Sequence, residues 1–199
     1  MKMSILLTLS FLTALCLAAS PTLVFEPRTT HVSIQTELGD IEVELFPDKA
    51  PGTVANFLRY VAAGHYKDAV FHRTVTMGNQ PDKKVKIEVI QGGRNSKRKD
   101  KDFPAIKLER TNLTGLKHMD GAISMARNGP DTATSDFFIC IGDQPELDFG
   151  GKRNPDGQGF AVFGRVTKGM DVVMKIQAAP SKDQSLTPPI RIKSIQVRR

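Results

Sequence analysis

The sequence predicts a mainly β domain, a closed antiparallel barrel with helical caps, and the structural alternative is a two-sheet sandwich. Three observations lead there. Short apolar-alternating runs bounded by Gly, Pro, Asn and Asp recur along the chain. Two segments, one towards each end of the domain, switch to helical spacing. No internal repeat is visible.

The elements follow in order. Residues 31–37 place Val32, Ile34 and Thr36 on one side, Leu38-Gly39-Asp40 makes a tight turn, and Ile41, Val43 and Leu45 then alternate with Glu42 and Glu44. That is a hairpin with one face on a core and one in water. Residues 48–64 change period: Pro51 suits a first helical turn, Val54, Phe57, Leu58 and Val61 recur at helical spacing, and Gly64 ends the helix. Short strands are expected over 70–73, 85–91, 122–126, 137–141 and 160–166. Residues 169–177 return to helical spacing through Met170, Val173, Met174 and Ile176. Residues 188–197 form a last strand whose apolar phase shifts between Ile192 and Ile195, the mark of a bulge or twist.

The 199 residues divide into a leader, residues 1–19, an extended tail, 20–30, and one domain, 31–199. Lys2, the apolar stretch from Ile5 to Leu17 and the small residues Ala18-Ala19-Ser20 read as a secretory signal. A membrane anchor is disfavoured because the stretch falls short of the ~20 residues a span needs. Lipid attachment at Cys16 is disfavoured by the bulky Leu15 before it. Losing the leader leaves Cys140 without a disulfide partner, as a buried, inert thiol. Export to the periplasm is expected, since the signal is short and no retention tail follows Arg199. The net charge of +7 is compatible with anionic partners, and the basic run Arg94–Lys101 reads as a solvated loop. That run lacks the aromatics that would stack bases, so no nucleic acid is expected as a partner. The mature protein is expected to be a monomer.

Chemistry concentrates in a few short segments. Arg73 stands in Phe71-His72-Arg73 and Gln91 in Gln91-Gly92-Gly93; Ser124-Met125-Ala126, Ser135-Asp136-Phe137-Phe138-Ile139, Leu147-Asp148 and Phe163-Gly164-Arg165-Val166 follow. The set holds a permanently charged fork, an amide that both donates and accepts and several apolar or aromatic side chains, but no activated nucleophile. Gly92-Gly93 suits the close approach of a peptide backbone. Phe137 and Phe138 face opposite ways in a strand, so one fills the interior while the other lines a surface. His31, His65, His72 and His118 lack paired metal-ligand spacing. The run from Asp148 to Gly157 lacks the closing glutamate of a calcium loop. No metal and no cofactor are expected.

This ordered set resembles the cyclophilin family of peptidyl-prolyl isomerases, from about Val32 to Val197. The resemblance implies an eight-stranded antiparallel barrel, two capping helices, an outer substrate groove and cofactor-free isomerase activity on proline-containing, unfolded or flexible polypeptides. It assigns Arg73 and Gln91 as the catalytic pair and His72, Ala126, Arg127, Phe138 and Leu147 as groove positions, Arg127 through its backbone. The departures are as informative. Residues 76–86 and 149–159 read as insertions, Ile87 or Glu88 falls near a usual phenylalanine, and Val89 replaces a usual methionine. Asp136 replaces a glutamine beside the catalytic pair, where it would fix or partly neutralise Arg73. Glu146 replaces a tryptophan, from which weak cyclosporin binding is expected. Phe160 stands at a usual histidine and would rebuild an aromatic wall. The rival reading is a proline-peptide binding module with little turnover.

Overall fold

The computed structural model describes residues 29–98 and 102–198. The leader and nearly all of the tail expected from the sequence lie outside the described residues.

Among the described residues the fold has nine strands, three α-helices and two 3-10 turns. The chain begins with β1 (Thr30–Thr36), β2 (Gly39–Leu45), α1 (Pro51–Ala62), β3 (Ala69–Val75), β4 (Val89–Gly93), α2 (Thr111–Thr114) and β5 (Ala122–Met125). It continues with β6 (Phe137–Cys140), β7 (Ala161–Lys168), α3 (Met170–Gln177), β8 (Ser181–Lys182) and β9 (Ser185–Arg198). Eight of the strands pair antiparallel in the order β1-β2-β7-β5-β6-β4-β3-β9, and β9 returns to β1, closing the barrel. The two-residue β8 merely folds back on β9. The barrel is therefore the closed form expected, and no sandwich forms.

Alternation decides what enters the barrel. Val32 and Ile34 face Val43 and Ile41 across the first hairpin, and all four are fully buried. Phe57 of α1 meets Tyr66, Phe137 and Phe163 at ring separations of 5.2–5.7 Å. Phe57 and Tyr60 bury the inner face of α1, and Val173 and Ile176 that of α3. The N–H groups of Gly52 and Thr53 at the start of α1 donate to the Glu109 carboxylate at 3.0 and 2.8 Å, which satisfies donors that Ala50 has no side chain to cap. A second, smaller cluster lies on the outer side of the wall: Val75, Ile87, Val89, Phe138, Cys140, Leu147 and Val162. Cys140 is fully buried there, and burial holds its thiol well above the usual pKa.

Differences from the expected elements have local causes. The first turn uses Glu37 and Leu38, because Thr36 pairs with Gly39. Strand β4 begins at Val89 rather than residue 85. The Gln80 side chain takes both backbone groups of Ile87, donating to its carbonyl at 2.8 Å and accepting from its N–H at 3.3 Å, so Ile87 has nothing left for a ladder. The phase shift in β9 is a bulge: Gln35 pairs with Ser194 and Thr36 with Ile192, leaving Lys193 unopposed. The short helix α2 is additional to the two expected caps.

Candidate active site

The site grows from strand register. Arg73 on β3 is opposite Gln91 on β4, and Gln91 is opposite Phe138 on β6. Residues directly opposite share a sheet face, so three positions distant in sequence stand side by side on the outer wall. The neighbouring phase carries Phe71, Gly92 and Phe137, and the two rings point inward with no exposure.

Gly92-Gly93 also serves this packing. A Cβ on Gly92 would sit 2.9 Å from the Phe71 ring, and one on Gly93 would collide with the Asp136 carboxylate.

Arg73 is held by neutral amides. Its Nη1 donates to Gln91 Oε1 at 3.0 Å, and its Nε and Nη2 donate to Gln184 Oε1 at 3.1 and 2.7 Å. Of the five N–H groups of a guanidinium, these bonds use three. The other two have no hydrogen-bond partner among the described residues. Burial lowers the proton affinity of Arg73, but an arginine stays charged. Gln184 in turn donates to the Asn79 carbonyl at 3.1 Å. Sequence reasoning missed Gln184.

Beside this pair is a cavity of about 400 Å³. Arg73, Gln91, Val89, Ala126, Arg127, Phe138, Leu147 and Phe160 all line it. Ile87, rather than Glu88, fills the position left open by the sequence. Phe160 meets Phe138 edge-on, with ring centroids 5.2 Å apart at 87°, making an aromatic corner. Both inserted segments reach this cavity, through Lys83 and through Arg153, Asn154 and Pro155, and they leave it open.

The side chains of the other expected groove residues make contacts that the sequence did not suggest. The side chain of Arg127 is almost fully buried and forms a forked ion pair with Asp156 at 2.7 and 2.9 Å. It also donates to the Gly159 carbonyl and covers the Phe160 ring at 5.0 Å. It is thus a strut for the second insertion. Asp136 does not touch Arg73; its carboxylate accepts weakly from Gln91 Nε2 at 3.5 Å and lies 3.8 Å from His72 Nε2. Burial raises its pKa, against the pull of His72 and Gln91. Asp136 and His72 line a neighbouring cavity of about 430 Å³. Glu146 is not among the residues lining either cavity, and its carboxylate accepts from the Lys152 N–H at 2.7 Å.

A polar chain supports the wall from behind. His118 stacks on Phe138 with ring centroids 5.9 Å apart at 10°. Its Nδ1 lies 2.8 Å from Asp148 Oδ1 and its Nε2 3.0 Å from Ser124 Oγ. Burial lowers the pKa of His118. The neutral ring therefore donates through Nδ1 and accepts from the Ser124 hydroxyl. Burial works against the Asp148 carboxylate, yet the His118 hydrogen bonds and the Lys117 charge hold it below the usual range. Ser124 is fully buried, so this Asp-His-Ser order cannot reach a substrate. Among the described residues no group of three or more His, Cys, Asp or Glu side chains could hold a metal.

Residues 31–197 match the family described as cyclophilin type peptidyl-prolyl cis-trans isomerase/CLD. The chain belongs to the cyclophilin family. It is 39% identical over 178 residues to a peptidyl-prolyl cis-trans isomerase of Acinetobacter baylyi, covering 85% of this chain and 86% of that protein. It is 41% identical over 150 residues to peptidyl-prolyl cis-trans isomerase B of Escherichia coli, covering 73% and 83%. A Cryptosporidium parvum cyclophilin solved in the presence of the dipeptide Ala-Pro superposes with a TM-score of 0.68 at 26% identity, covering 85% and 99%. The activity of this cyclophilin is peptidyl-prolyl cis-trans isomerisation.

Proposed function

We propose that Arg73 accelerates X-Pro rotation by stabilising the twisted amide while the aromatic corner holds the proline ring. Planar X-Pro amides exchange over tens to hundreds of seconds because rotation must break amide resonance, a barrier of roughly 18–20 kcal/mol. At the barrier top the nitrogen is pyramidal and exposes a lone pair, and the carbonyl has lost its partner in resonance. Reaching millisecond turnover requires stabilising that state by about 7 kcal/mol. The observation that carries the reading is the Arg73–Gln91–Gln184 arrangement at the edge of a partly apolar cavity. It aims two free, charged N–H donors from a fixed fork. Such preorganised donors act selectively on the form in which charge has moved. Phe138, Leu147, Val89 and Phe160 supply the notch, and Gln91 can bond the substrate backbone while it braces Arg73.

The proposed clients are exposed X-Pro segments of folding or flexible proteins in an exported compartment, the periplasm, reached through the leader of residues 1–19. A protease-coupled proline peptide assay tests the activity of this site. Arg73→Ala should lower turnover at least about tenfold, ~1.4 kcal/mol, in a protein that remains folded. A wild-type protein that binds proline peptides without turning them over would be a binding module instead. Cell fractionation tests the compartment.

A further inference from the structure

The charge around the cavity is unbalanced in one direction. Arg73, Lys83, Arg127 and Arg153 line it, and among the described residues no carboxylate does. Arg127 is neutralised by Asp156. The other three are not. Among the described residues the Arg73 guanidinium bonds only to the amides of Gln91 and Gln184. Arg153 donates through Nη1 to Gln80 Oε1 at 2.8 Å and to the Val85 carbonyl at 2.7 Å, both uncharged acceptors. Lys83 is exposed, and no ion pair among the described residues includes it. Of the carboxylates outside that lining, Glu88 accepts from Gln177, Glu146 from the Lys152 backbone and Asp136 from Gln91, while the exposed Asp82 stands next to Lys83 in sequence.

Arg153 and Lys83 come from the two inserted segments, and Arg153 ties one to the other through Gln80 and Val85. Burial, and then the nearness of Arg73, lower the proton affinity of Arg153. The two guanidinium groups therefore feel each other within one partly dehydrated space. Like charges gathered without counter-charge cost free energy, and an anionic ligand reverses that cost.

We propose that this site selects proline segments bearing an acidic side chain one or two residues from the proline, with Arg153 and Lys83 receiving the carboxylate. The inference rests on the isomerase reading and specifies its substrate class. An extended peptide advances about 3.3 Å per residue, so a carboxylate that close to the seated proline ring stays within reach of the long side chains on the inserted segments. Arg153 offers donors beyond its one bonded nitrogen, and Lys83 offers a mobile ammonium.

The test uses the full mature protein and end-blocked peptides with Glu, Gln or Lys at each of the two positions on either side of one proline. NMR titration and exchange spectroscopy read binding and isomerisation together. At one position or more, Glu should exceed Gln by at least about fivefold in affinity or exchange efficiency, and Lys should fall below Gln. The advantage should shrink towards one at about 0.5 M salt, and in Lys83→Gln and Arg153→Gln. Because each ratio is taken within one variant, partial loss of folded protein cancels. Glu, Gln and Lys peptides agreeing within twofold at every position would overturn the proposal, as would an advantage that survives both substitutions. Failure to accelerate exchange of any peptide would instead remove the isomerase reading, and the charge preference would still be read from binding.

Discussion

Gln184→Ala isolates the positioning of Arg73. The substitution removes one acceptor that holds two guanidinium nitrogens, at 3.1 and 2.7 Å, and leaves the 3.0 Å bond to Gln91 intact. Hydrogen bonds to charged groups contribute ~1.5–3 kcal/mol where water cannot replace them. Arg73 is only partly buried, so water recovers part of that. The transition state should lose ~1–2 kcal/mol, a five- to thirtyfold fall in kcat/KM. The fall should appear in kcat, since the apolar cavity walls proposed to hold the proline ring are untouched. A protease-coupled assay on one neutral peptide measures it, with thermal unfolding as the control for global damage. A double-mutant cycle gives the sharper answer: once Arg73 is alanine, removing Gln184 should change nothing further. A loss below twofold in the wild-type background, or an equal loss in both backgrounds, would refute the positioning argument.

Three other outcomes follow from the same geometry. Arg127→Ala should free the second insertion by removing the Asp156 pair and the Phe160 contact; hydrogen exchange across residues 149–159 should quicken, with local stability lower by about 1–3 kcal/mol. His118 has a folded pKa held down by burial, so it stays neutral in the fold while the unfolded chain protonates below the ordinary value of 6.5. Stability measured by urea midpoints should therefore be full above that value and fall as pH drops below it, and His118→Gln should flatten that slope. Cyclosporin should bind weakly, because the Glu146 carboxylate is turned to the Lys152 backbone and offers no indole donor; sub-micromolar inhibition measured in the peptide assay would contradict this.

The parts of the fold legible in the sequence were those governed by period. Val32, Ile34, Ile41 and Val43 alternate, and they pair across a hairpin. The broken alternation between Ile192 and Ile195 marks a real bulge at Lys193. Local alternation also separated Phe137 from Phe138. Where side chains compete with backbone, period is silent. The Gln80 amide displaces ladder bonds at Ile87, and nothing in residues 85–88 announces it. The site was legible through its motif residues and not through their partners. Gln184 is 111 residues from Arg73. It is placed by a two-residue turn in which Asp183 and Gln184 both take positive φ, 49° and 70°. Such turns favour Asn-Gly or Asp-Gly, so Asp-Gln carries a weak signal. Arg127 was expected to serve through its backbone, and its side chain finds Asp156 and Gly159 in the second insertion; Arg153 finds Gln80 and Val85 only because the two insertions meet.

The pairing of β1 with β9 joins His31 to Arg198 and Val32 to Val197. The seam of the cylinder is thus stitched by the earliest and latest strands, and no shorter nascent piece can complete the ring. While the polypeptide is still emerging, its interior rings have no finished wall to shelter them, and lasting shape arrives in one late step.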